Sequence, residues 1–209
     1  MLCAAILLAA GAASAQQTPD GAHLFHYCTP CHGADGSGNP AVGAPSIAGL
    51  PQWYVAIQLR GFRHGLRGTH FDDREGMRMR PMTRALDKAS VGTPFEANAD
   101  ALARYVASLP ATHPATTLQG GDAARGAQTY LLCGSCHGMR GEGNEAQHAP
   151  PLAGASDWYL LTQLKKFKAG VRGWRPDDAF GQMMRGMAGT LADEQAMKDV
   201  IAHIQTLGK

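Results

Sequence analysis

The sequence predicts an all-α protein built from two tandem homologous domains. Three observations carry this. The chain repeats itself at an offset of 105 positions, each copy ends in a helical apolar pattern, and no stretch shows a convincing strand alternation. The repeat runs without a gap from Cys28, Cys31, His32, Gly33, Gly36, Gly38 and Asn39, matched by Cys133, Cys136, His137, Gly138, Gly141, Gly143 and Asn144, to Met79, Arg80, Met82 and Leu86, matched by Met184, Arg185, Met187 and Leu191. A period this long is a duplicated domain rather than a solenoid repeat.

In chain order, residues 1–15, "MLCAAILLAAGAASA", read as a secretory signal peptide with a small-x-small cleavage site at Ala13-Ser14-Ala15. Their apolar run is shorter than the roughly 20 residues a membrane span needs. The first domain is then residues 16–110, a Pro- and Thr-rich linker covers 111–120, and the second domain is 121–209. Short helices precede the cysteine pairs in "GAHLFHYC" and "GAQTYLLC", and further helices cover Trp53 to Phe62 and Trp158 to Phe167. The end helices show apolar residues at i, i+3, i+4 and i+7: Leu102, Tyr105, Val106, Leu109 and Met197, Val200, Ile201, Ile204. They align only if about seven residues near "KASVGTPFE" are an insertion in the first copy. The remaining segments read as Gly- and Pro-rich loops, with Asp72-Asp73 and Asp177-Asp178 as solvated loop residues.

Of 209 residues 44% are hydrophobic, which argues against disorder, and the net charge of +2 with no Lys/Arg run argues against a nucleic-acid partner. Only 7% are aromatic, so something else must fill the core. Cys3 leaves with the signal peptide, and the other four cysteines form two Cys-x-x-Cys pairs, each followed by His. A Cys₄ zinc site would need pairs about 15–20 residues apart, and a thioredoxin pair would need a βαβ unit. Covalent haem c explains every residue of the motif. Cys28 and Cys31, then Cys133 and Cys136, attach two haems, and His32 and His137 reach the irons. Export fits this chemistry, and two haems supply the missing apolar bulk.

The string "CHG…G.GN…AP.LAG…WYL..QL..F..G.R", with the later "MMRGMAGTLADEQ", resembles the dihaem cytochromes c of the cytochrome c4 family over nearly all of the mature chain. The resemblance implies two tandem class I cytochrome c domains. It also implies an axial Met seven residues before the Leu that leads into the last helix. That selects Met79 and Met184, each 47 residues beyond its haem His, with Met82 and Met187 as the fallback. In monohaem relatives a Pro carbonyl fixes the haem His, a role that falls on Pro45 and Pro150. Trp53, Tyr54, Arg67, Trp158, Tyr159 and Arg172 are candidates to hold haem propionates, with helix packing and a solvated face as the plainer reading. The other histidines have no partner across the offset, which argues against bis-His ligation.

The family reading makes the chain a periplasmic electron carrier rather than an enzyme. It would accept electrons from a quinol-oxidising complex or a dehydrogenase and pass them to a terminal oxidase, meeting membranes only through such partners. Two other readings stay open: a dedicated electron-accepting subunit of a periplasmic dehydrogenase, and a dihaem peroxidase, which would need one open iron.

Overall fold

A computed structural model describes residues 19–87, 89 and 93–207. The signal-peptide segment and Cys3 lie outside these residues. Among the described residues nine α-helices form in the order α1 (Gly21–Phe25), α2 (Thr29–His32), α3 (Gln52–Arg63), α4 (Arg74–Ala85), α5 (Phe95–Ser108), α6 (Ala123–His137), α7 (Asp157–Lys168), α8 (Ala179–Gly189) and α9 (Glu194–Ile204). Among the described residues the only β pairing is two isolated bridges, Asn39 with Ala44 and Asn144 with Ala149.

Each domain has its own core. In the first, Leu24 and Phe25 of α1 and Leu59 of α3 pack against Leu102 and Val106 of α5. In the second, Tyr130 of α6 and Leu160 and Leu161 of α7 pack against Met197, Val200, Ile201 and Ile204 of α9. Full burial of one such side chain stabilises by about 1.5–3 kcal/mol. The first and last helices of each domain cross at a glycine. A Cβ on Gly21 would lie 2.3 Å from the Ala101 carbonyl oxygen, and one on Gly126 would lie 1.9 Å from that of Asp199. Gly21 and Gly126 obey the 105-residue offset, while Ala101 and Asp199 are 98 apart, so the extra residues of the first copy lie between α4 and α5.

The helix that carries the second Cys pair is continuous, whereas its first-domain counterpart breaks into α1 and α2. Pro30 stands where the second copy has Ser135. It has no N–H to offer the His26 carbonyl, and Thr29 Oγ1 takes that acceptor instead at 3.0 Å.

The stretches holding the methionine clusters are helices, not loops. Asp73 caps α4 by accepting the Gly76 N–H at 3.2 Å, and Asp178 caps α8 by accepting that of Gly181 at 2.9 Å. Asp72 and Asp177 stay exposed, but Asp73 is 2% exposed, so reading it as a solvated loop residue is corrected. The linker is strapped down at its end: the Thr117 and Leu118 N–H groups donate to the Asp157 carboxylate at 2.5 and 2.6 Å.

Candidate haem sites

His32 closes α2 and His137 closes α6, and both are 8% exposed. The following glycines, Gly33 and Gly138, have φ of 81° and 82°, so the chain turns away at once and leaves the ring facing the domain interior. The His32 Nδ1–H donates to the Pro45 carbonyl, and the His137 Nδ1–H to that of Pro150, each at 2.8 Å. With Nδ1 carrying the proton, Nε2 keeps its lone pair for a metal. Burial pushes both imidazoles below their ordinary pKa, opposed in part by the proline carbonyls, which favours the neutral ligand form.

The four cysteines are not paired as disulfides. Burial, with Cys31 adding to it, pushes the Cys28 thiol up to about 12, and burial raises Cys133. Thiols this weakly acidic are poor thiolates, which counts against thioredoxin-like exchange. Cys28 instead borders an apolar cleft with Leu59, Met79, Met82, Thr83, Leu86 and Leu102. Met79 packs against the first core, while Met82 is 39% exposed. Met184 and Met187 are half-buried on α8.

The arginine and tyrosine candidates come together between the domains. Arg67 Nη1 donates to Gln58 and its guanidinium lies 4.3 Å over Phe62; Arg172 Nη1 donates to Gln163 at 2.8 Å and its guanidinium lies 4.2 Å over Phe167. Burial pushes Arg172 down to about 10, and the nearby Arg67 pushes the same way. Tyr54 and Tyr159 share this cluster, and the Asp73 carboxylate acts on both arginines. Arg67 Nε and Arg80 Nε are buried and find no hydrogen-bond partner among the described residues. Two buried guanidinium nitrogens without partners call for an anion, and a haem propionate has the chemistry to supply it. The residues present therefore fit haem c in both domains. Trp53 and Trp158 each pack edge-on against the neighbouring tyrosine of this cluster; Trp53 also meets His148 edge-on, 6.5 Å between centroids, and Trp158 borders a groove beside Gly43. Arg80 was not singled out from the sequence, although its match to Arg185 across the repeat was the available signal.

These geometries agree with relationships to known proteins. The cytochrome c family profile matches residues 19–110 and again 123–208. A thiosulfate dehydrogenase electron acceptor of Thiomonas intermedia is 36% identical over 182 residues, covering 82% of this chain and 75% of that protein. The solved cytochrome c4 of Acidithiobacillus ferrooxidans is 26% identical with a TM-score of 0.69, covering 88% of this chain and 99% of that one. A thiosulfate dehydrogenase structure from Marichromatium purpuratum is 30% identical with a TM-score of 0.66, covering 90% of this chain and 39% of that one.

The chain belongs to the cytochrome c family, as two tandem domains of it. It is a dihaem electron carrier of the kind that cytochrome c4 represents, with two covalently attached haems c. Among the described residues no helix is long and apolar enough to cross a membrane.

Proposed function

We propose that this cytochrome works in the periplasm as the electron acceptor of a dehydrogenase of the thiosulfate-oxidising type, and passes single electrons onward. The observation that carries this reading is the match across both domains to a protein named for that role, 36% identical over 182 residues. A second reading, a diffusible carrier delivering electrons to a terminal oxidase, is favoured by the likeness to cytochrome c4 along 88% of the chain. In either case Cys28, Cys31, Cys133 and Cys136 attach the haems, and the iron ligands are His32 with Met79 and His137 with Met184. The bound groups supply reversible one-electron chemistry at iron. The chain does the rest. Pro45 and Pro150 hold the imidazole rings, Met79 and Met184 would help hold the irons, and Arg67, Arg80 and Arg172 would neutralise the propionates.

Two experiments test the reading. Carbon monoxide added to the dithionite-reduced protein leaves the visible spectrum unchanged if both irons are capped; a change in about half the haem means one open iron and defeats the carrier assignment. Stopped-flow mixing with a purified thiosulfate dehydrogenase and thiosulfate reduces both haems if that enzyme class is the donor. Reduction no faster than by thiosulfate alone shifts the choice to the terminal-oxidase carrier.

A further inference from the structure

The two domains meet through surfaces that the duplication should have made alike, yet three matched positions are exchanged in character. Lys166, His148 and Phe180 of the second domain stand where the first has Gly61, Gly43 and Glu75. The contacts divide accordingly. On one side, the His148 ring stacks on Phe180, 4.0 Å between centroids at 19°, and meets Trp53 of the first domain edge-on. On the other, Lys166 reaches from α7 into the first domain and donates to Asp73 at 2.6 Å and to Glu75 at 2.5 Å. The Lys166 side chain is 11% exposed and that of Asp73 is 3% exposed. The Glu75 side chain lies over Gly43, where a Cβ would be 2.7 Å from its Cγ.

Asp73 is the cap of α4, and its second carboxylate oxygen accepts the Gly68 N–H at 3.3 Å. Burial alone would raise its pKa, but the Lys166 ammonium, with Arg67 and the Gly76 N–H, holds it below the usual carboxylate value. The matched cap, Asp178 of α8, is only half-buried and, among the described residues, pairs with no lysine, the position equivalent to Lys166 being Gly61. The start of the helix that bears Met79 is thus tied to the opposite domain by a buried cation, and the start of the helix that bears Met184 is not.

We propose that Lys166 is a positioning residue of the second domain that sets the reduction potential of the haem in the first. It does so by fixing the Asp73 cap of α4 and neutralising the Asp73–Glu75 pair beside that domain's arginines. This inference rests on Met79 being the iron ligand of the first domain. Removing Lys166 leaves two carboxylates without their ammonium and destabilises the reduced, less positive state less than it stabilises the oxidised one. The first-domain potential therefore falls. The second-domain haem, whose capping aspartate has no such partner, is left nearly unchanged.

The experiment is a spectroscopic redox titration of the dihaem protein carrying Lys166→Met, resolved into two one-electron steps. Met79→Ala and Met184→Ala, each alone and combined with Lys166→Met, assign the steps to the domains. The expected result is a fall in the first-domain step only, restored by Lys166→Arg, which keeps the charge. Glu75→Gln leaves the Asp73 cap in place and is expected to move the same step upward, which keeps the test usable if Lys166→Met folds poorly. Neither step moving, or both falling equally, overturns the proposal, and so does a lower thermal midpoint with both potentials intact. If Met79→Ala moves neither step, the ligand assignment has failed instead, and the two failures remain distinct.

Discussion

Gly126 faces the backbone carbonyl of Asp199 so closely that a methyl group there would lie 1.9 Å from the oxygen. The obstacle is backbone rather than a flexible side chain, so α6 and α9 would have to separate. Gly126→Ala is expected to cost at least about 2 kcal/mol, as overpacking of a tight contact does. Gly21→Ala should behave alike in the first domain, where the distance is 2.3 Å to Ala101. Denaturant unfolding of each variant checks this, and a loss below about 0.5 kcal/mol at both sites would refute it.

The proposed methionine ligands give the second prediction. Met184→Ala should open one iron, so that about half of the haem in the reduced protein binds carbon monoxide and one potential falls. Met79→Ala should do the same for the other half. Met82→Ala and Met187→Ala should leave carbon monoxide binding absent. If they open an iron instead, the fallback methionines are the ligands.

Asp199 gives a pH dependence. Its carboxylate receives Arg125 Nε at 2.8 Å, the Asp122 N–H at 2.8 Å and Gln195 Nε2 at 2.8 Å, and Arg125 together with the Asp122 N–H holds its pKa down to about 2. A depressed carboxylate contributes stability that is fully present above its unfolded value of about 3.9 and is lost as pH falls toward the folded one. Arg125 is largely exposed, so screening reduces the contribution to on the order of 1 kcal/mol. Thermal unfolding of Asp199→Asn should be less stable than the parent at neutral pH, and the two should converge as pH drops from about 4 to about 2. A constant gap over that range would exclude this ionic contribution.

His148 is the one non-glycine residue with positive φ, 52°, among those described, where the first domain has Gly43 at 69°. Its backbone strain of about 1 kcal/mol is offset by the ring contacts to Phe180 and Trp53. His148→Ala loses the ring and keeps the strain, whereas His148→Gly loses both. The glycine variant should therefore be the more stable of the two by about 1 kcal/mol in thermal or denaturant unfolding. An alanine variant as stable as the glycine one would show that the left-handed backbone is unstrained.

Much of the site was legible because covalent chemistry leaves a local signature. Covalent haem attachment calls for two thiols and an imidazole close together in sequence, which is the arrangement of Cys28, Cys31 and His32 and of Cys133, Cys136 and His137. The last helix of each domain was legible through its apolar periodicity. Helices α4 and α8 were not. Pro81 and Gly76 sit inside α4, Gly181 and Gly186 sit inside α8, and the helix starts depend on aspartate caps that look like ordinary polar loop residues. The burial of Asp73 was out of reach for a different reason: its cation lies 93 residues away in the other domain, and no local pattern predicts that pairing. Arg80 was hidden in the same way, since a buried Nε without a partner is a property of the packed molecule.

The exchanged residues at the domain junction also decide which halves can live together. Two copies of the first domain would set Gly61 against Asp73 and Glu75, leaving a gap and two carboxylates with no ammonium. Two copies of the second would set Lys166 against Asp178 and Phe180, so that one of its two carboxylates is replaced by an aromatic ring. Each half is shaped for its sibling and against its twin. Separately expressed halves should thus pair with one another more tightly than either pairs with itself.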